Sequence, residues 1–276
     1  MGHDSALEAK MIVLDFHVHA FPDELAPRAM EQLSRRSNLI PSYDGTISGL
    51  RRSMMEAGIS ASVIQPVATK PSQVRSINDW VLSLKSDRLI PFGAIHPDLE
   101  RPWEELKRIK ALGIRGVKIH GDYQEAFIDE ERYMPIYEAM EDLGMILLLH
   151  AGVDIGLPPP VRATPERILR VHESFPRLRI VAAHMGGFRM WDEVERYLLG
   201  REIYFDTSYV RTFMDDERAM KMMQKHGIDR ILFATDAPWA DQKEELSWIT
   251  SLGFSEEELD KILWGNGAKL LRFDYP

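Results

Sequence analysis

The chain has 276 residues, 45% of them hydrophobic and 28% charged, which excludes a disordered or fibrous protein and leaves enough apolar side chains for a substantial core. Its 34 Lys and Arg against 43 Asp and Glu give a formal charge of −9, so a nucleic-acid tract would meet like charge. With no cysteine, disulfides, thiolate metal sites and cysteine nucleophiles are excluded, and any metal must be held by His, Asp, Glu or a carboxylated Lys.

Residues 1–10 read as an added leader, because a strand-like run starts directly at Met11; His3 is set aside with them, and the expected domain is 11–276. No apolar run approaches the roughly 20 residues of a membrane span, and no signal-like segment opens the chain, so a cytoplasmic location is expected. From there, apolar runs at 12–16, 61–66, 89–95, 114–119, 145–149, 178–183, 203–206 and 230–235 alternate with stretches of helical period. Thr164-Pro165 and the Ser255/Glu258 pair mark helix starts, and Gly58, Gly113, Gly144 and Gly227 stand where helices must close before the next strand. Eight such units fit one α/β domain, a single (β/α)8 TIM barrel, and no linker or composition break argues for a second. The proline-rich stretch 157–160 then becomes a stiff loop after the fifth strand, beside any active site.

In a barrel the strand C-termini converge on one face, so polar residues there carry more meaning than elsewhere. His17 and His19 close the first strand, His120 the fourth, His150 the fifth, His184 the sixth and Asp236 the eighth, while His96 follows the third. Side chains of a strand alternate faces, so His17 and His19 point the same way with Cα atoms about 6.5 Å apart, and both can reach one cation. Neutral imidazoles bind zinc at about 2.0–2.1 Å, and a catalytic ion takes about three protein ligands, which His150 and Asp236 would complete. Lys118 faces the interior beside His120; it pairs with a barrel carboxylate such as Asp206 or, carboxylated, bridges two metals. His172 and His226 lie near helix C-termini, where the dipole alone accounts for them. Arg162, Arg189 and Arg211 lie in predicted loops with Phe188, Trp191, Tyr209 and Trp239 nearby, a mixture suited to a flat, carboxylate-bearing substrate; Arg162, Arg189, Tyr209 and Trp239 are the candidates to bind it. The Gly186-Gly187 pair lets backbone approach a ligand closely.

These residues carry a resemblance. The segments 15–19, 116–120, 183–187, 204–208, 233–238 and 265–268, with the strand ending at His150, are together similar to the amidohydrolase superfamily, in particular the amidohydrolase-related branch that includes aminocarboxymuconate-semialdehyde decarboxylase. The resemblance implies a somewhat distorted barrel, metal ligands at His17, His19, His150 and Asp236, a catalytic histidine at His184, and room for a homodimer. The branch holds lactonases, other hydrolases and nonoxidative decarboxylases on one constellation, so it does not choose a reaction.

The chain is shorter than the larger decarboxylases, and on that ground a metal-dependent hydrolase is expected, acting on a lactone, amide or similar carbonyl of a small substrate. A divalent ion, zinc first and Mn, Fe or Ni after it, would activate water, with His184 orienting that water and Asp236 moving the proton. A second metal, held by Lys118 and His120, is less expected. The alternative on the same site is a nonoxidative decarboxylase of an aromatic or enoic acid; the third reading is an inactive barrel serving as a binding protein.

Overall fold

The computed structural model describes residues 11–86 and 88–272, so the leader assignment and His3 lie outside the described residues. Among the described residues nine strand segments follow one another, with helices between all but the third and fourth: β1 (Leu14–Val18), β2 (Ala61–Ile64), β3 (Leu89–Pro91), β4 (Gly93–Ala94), β5 (Gly116–Ile119), β6 (Ile146–Leu149), β7 (Arg179–Ala182), β8 (Tyr204–Asp206) and β9 (Ile231–Leu232). Every pairing is parallel, in the order β1-β2-β3 and β4 through β9. The strand expected at 89–95 is therefore split, with β3 pairing back to β2 and β4 forward to β5, while Phe92 N–H still donates to Ile64 O at 3.0 Å across the joint. Between last and first strands the ladder is irregular but continuous: Phe16 N–H reaches Phe233 O at 2.9 Å, and Asp236 N–H reaches His17 O at 2.8 Å. The molecule is a distorted (β/α)8 barrel.

The helices are α1 (Ala26–Ser37), α2 (Ile47–Ala57), α3 (Val74–Leu84), α4 (Pro102–Ala111), α5 (Met134–Asp142), α6 (Pro165–Ser174), α7 (Trp191–Tyr197), α8 (Asp216–His226), α9 (Gln242–Ser251), α10 (Glu256–Asp260) and α11 (Asn266–Leu271). Their starts follow local chemistry: Thr164 Oγ1 caps α6 through Arg167 N–H with Pro165 at the first position, and Ser255 and Glu258 close a reciprocal box on α10. Among the described residues, no helix is long and apolar enough to cross a membrane.

Alternate strand residues, among them Leu14, Phe16, Val63, Phe92, Leu148, Val181 and Leu232, fill the barrel, and Leu270 and Leu271 of α11 seal it. The other faces, such as Val117, Ile119, Leu147 and Ile180, pack under the helices. One irregularity matters for chemistry. Asp15 pairs with Ser62 but Val18 with Ile64, so β1 carries one extra residue. Such a bulge re-aims the side chains beyond it, and strict alternation from Leu14 and Phe16 would have turned His17 away from the interior.

Candidate metal centre

His17, His19 and Asp236 meet at the barrel mouth, each offering an atom within 4.8 Å of the others. His17 Nε2 lies 3.2 Å from His19 Nε2 and 3.5 Å from Asp236 Oδ1, and His19 Nε2 lies 3.0 Å from the same carboxylate oxygen. The opposite nitrogens are taken: His17 Nδ1–H donates to Asp206 Oδ2 at 2.9 Å, and His19 Nδ1–H donates to the carbonyl of Gln65 at 2.8 Å. Those two partners leave both Nε2 atoms without a proton and facing a carboxylate, that of His17 also accepting from Lys118 Nζ. Three acceptors about 3.0–3.5 Å apart, with no hydrogen among them, match the edges of a coordination polyhedron of roughly 2.0–2.2 Å bonds. The residues fit a divalent ion.

Electrostatics agree. Burial, reinforced by the charge of Lys118, pushes His17 down to about 4, so it stays a neutral donor near neutrality. Burial alone would raise the Asp236 and Asp206 carboxyls, yet the imidazoles against them, His19 and then His17 and His184 at Asp236, and His17 and His184 at Asp206, hold both well below the usual carboxylate range. Lys118 is 1% exposed, and its Nζ lies 3.0 Å from His17 Nε2; the expected direct pairing with Asp206 is not formed, because His17 Nδ1, the His184 N–H and Ser208 already occupy that carboxylate. Burial pushes the Lys118 ammonium down to about 8.

A second chain of histidines leads in from β6 and β7. His184 Nδ1 faces the carbonyl and hydroxyl of Ser208, both at 2.9 Å, and its Nε2 faces His150 Nδ1 at 3.2 Å. With Nδ1–H of His184 given to Ser208 O, the His150 Nδ1–H goes to His184, and His150 Nε2 is left bare, buried and without a partner. That orphaned lone pair is what a ligand needs. In place, however, His150 groups with His120 and Asp154 rather than with the first trio. The His120 and His150 rings are stacked 4.0 Å apart and within 7° of parallel, and since each lone pair lies in its ring plane, no single ion can sit in both planes. His120 Nε2 instead lies 3.1 Å from Asp154 Oδ2.

Several rim residues fall elsewhere than expected. A cavity of about 490 Å³ opens over the trio, with Lys118, His120, His150, His184, Tyr209 and Trp239 in its walls, but not Arg162 or Arg189. Asp122 holds Arg162, accepting from its backbone N–H at 3.1 Å with the guanidinium 3.8 Å away, and the Arg189 guanidinium lies over Phe188 and Phe213. Arg211 is spent on Glu244 and Glu245. Lys118 is the only Lys or Arg among the described lining residues. After β6 the stem 153–156 lines the cavity, whereas the proline run does not. A Cβ on Gly186 would meet the Phe205 ring at 2.9 Å, so that glycine serves packing rather than a ligand. Sequence reasoning missed Asp154, which lies in the loop after β6, and Gln65, which directly follows β2 but supports His19 through its backbone carbonyl, a group every residue carries.

A family model described as amidohydrolase matches residues 14–273. A curated relative, the gamma-resorcylate decarboxylase of Polaromonas sp., is 24% identical over 304 residues, 91% of this chain and 90% of its own length. Two solved structures superimpose along the whole barrel. One is the 5-carboxyvanillate decarboxylase of Sphingomonas paucimobilis, with a TM-score of 0.72 at 16% identity, covering 96% of this chain and 100% of that one. The other is a dihydroxybenzoic acid decarboxylase of Polaromonas sp. with bound manganese and the inhibitor 2-nitroresorcinol, with a TM-score of 0.71 at 20% identity, covering 95% and 97%. The chain thus spans nine-tenths or more of the length of these decarboxylases, and the length argument for a hydrolase falls.

Proposed function

This chain belongs to the amidohydrolase family, and we propose that within it the protein is a metal-dependent nonoxidative decarboxylase of a small aromatic acid. The observation that carries this reading is the alignment along 91% of the chain with a gamma-resorcylate decarboxylase; the hydrolase reading rests on membership of the superfamily alone. We assign the ion to His17, His19 and Asp236, with the bare Nε2 of His150 as a further ligand, and manganese, present in a solved relative, joins zinc as the candidate. When bound, the ion supplies Lewis-acid charge to substrate oxygens.

The chain's own residues do the rest. Lys118, the one described Lys or Arg in the cavity wall, attracts the carboxylate into the mouth. His184, anchored through Nδ1 on Ser208, carries the proton: it takes one from solvent at Nε2, the His150 N–H that faces this nitrogen giving way, and delivers it to the ring carbon. Protonation of the ring carbon bearing the carboxylate is followed by cleavage of the bond to that carboxylate; its electron pair restores the aromatic ring and CO2 departs. Apolar walls exclude water, so the single negative charge of the carboxylate loses solvation, which favours its departure as neutral CO2. Asp206 orients His17 and the His184 backbone at once.

The test is CO2 release from 2,6-dihydroxybenzoate and related hydroxybenzoates, beside hydrolysis of lactones and cyclic imides. We expect CO2 from the metal-loaded enzyme, its abolition by chelation, and a loss of at least about 100-fold in His184→Asn. Hydrolysis of lactones without CO2 from any aromatic acid would overturn the reading in favour of a hydrolase.

A further inference from the structure

The cavity is much larger than the reaction requires. About 150 Å³ suffices to hold benzene in a protein interior, so the 490 Å³ here would hold the reacting ring roughly three times over. Its lining also divides by origin. Strand ends contribute the charged and imidazole groups, whereas Leu25, Leu33 and Leu39 from α1 and its flanks, Ile77 and Trp80 from α3, and Ile155 after β6 contribute apolar surface. Ile77 and Trp80 stand three apart on α3 and so share a face. None of these six is buried by the protein itself; all are half-buried or, in Leu25, 57% exposed. Apolar surface left open beside a reaction centre marks a place where a ligand covers it. Two polar neighbours in the same wall are already committed: Gln73 Oε1 accepts from Thr69 and Lys70, and Ser76 Oγ donates to Gln73 O.

We propose that the substrate is an aromatic acid bearing an apolar substituent, an alkyl chain or second ring, which lies in the arm formed by α1 and α3. This rests on the decarboxylase reading for its head group only. Whatever reacts at the mouth, the arm selects for what trails behind it, and the specificity-determining residues are Leu33, Ile77 and Trp80.

The experiment measures binding of 4-alkylresorcinols from ethyl to hexyl to the metal-loaded protein by calorimetry, in parallel with alkyl-substituted γ-lactones, and CO2 release from alkyl-substituted dihydroxybenzoates. Affinity is expected to rise about fourfold per methylene, the factor equivalent to ~0.8 kcal/mol per buried CH2. In Leu33→Asp and, independently, Ile77→Ser, the factor per methylene should fall below about twofold; circular dichroism shows which variants are folded. A flat chain-length profile in the unmodified protein, or a full profile retained in both folded variants, overturns the proposal. Absence of CO2 with the chain-length profile intact in either series overturns only the decarboxylase reading, so the two failures are distinguishable.

Discussion

A histidine can hold a metal only through a nitrogen that its surroundings leave bare, and here the surroundings do this three times. Asp206 takes the proton side of His17, Gln65 O that of His19, and His184 that of His150. Removing a ligand should therefore be severe and removing its support graded. His17→Ala, His19→Ala and Asp236→Ala are expected to lose stoichiometric metal on dialysis, read by elemental analysis, while Asp206→Asn should weaken binding by about 10- to 100-fold. Retention of metal by all three alanine variants would refute the ligand assignment. Protons compete for the same lone pairs. Because burial and Lys118 push His17 to about 4, its nitrogen stays bare through the range in which an ordinary histidine charges, near 6.5. Metal occupancy and turnover should thus fall together between about pH 6 and pH 4 rather than at 6; loss of turnover with metal fully bound would point to His184 instead. The histidines and Asp236 were legible because a strand end is a position that sequence period locates. The aim of Arg162 and Arg189 was not, since a loop side chain goes wherever Asp122 or an aromatic face holds it. Nor could sequence show that His184 and Asp236 adopt left-handed backbone, at φ 59° and 66°, a conformation that costs about 1–2 kcal/mol for such residues and that neighbouring structure must enforce.

At the scale of elements, strand runs and capping chemistry read correctly, and interruptions did not. The apolar run 89–95 reads as one strand, yet Pro91 and Gly93 flank Phe92, the joint at which one neighbour is exchanged for another, and these two breakers were the signal passed over. The bulge in β1 has no such mark, although it sets His17 into the mouth. At the end of α8, the helix dipole was the expected reason for His226; instead the ring stacks on Phe205 at 3.7 Å, gives Nε2–H to Ile203 O at 2.6 Å and accepts from Gly200 N–H at Nδ1. It is a neutral clamp, pushed down to about 4 by burial. The unfolded chain binds a proton there near 6.5 and the folded one near 4, so the stability this ring contributes is complete above 6.5 and lost as pH falls to 4, by up to about 3 kcal/mol. Asp15 and Glu245, both pushed up to about 7 by burial, run the opposite way, which masks the effect in the unmodified protein. The urea-unfolding difference between wild type and His226→Phe isolates it, and that difference should shrink steadily from pH 7 to 4.5. A difference independent of pH would show that the ring is not neutral in the fold.

For the whole molecule, alternation of strand and helix sufficed to read one barrel, because each unit buries its apolar face only against its neighbours; the choice between reactions was not readable, because the same rim serves several. An ion that binds only the folded barrel must stabilise all of it by mass action, about 2.7 kcal/mol at 100 times the dissociation constant. At roughly 2–4 °C per kcal/mol for a domain near this size, manganese or zinc should raise the melting temperature by about 5–10 °C, with no rise in Asp236→Ala. An equal rise in that variant would place the ion elsewhere.

His19 and Asp236 touch across 217 positions of chain, at the irregular ladder where the last strand meets the first. The metal pocket is thus the clasp of a ring and comes into being only when the ring shuts. During synthesis His17 and His19 leave the ribosome long before Asp236, and the trio is complete only when the eighth unit has docked. Metal capture, followed in a stopped-flow refolding experiment with a chromophoric chelator as the competing store, should consequently lag the recovery of helical signal and keep time with closure of the seam.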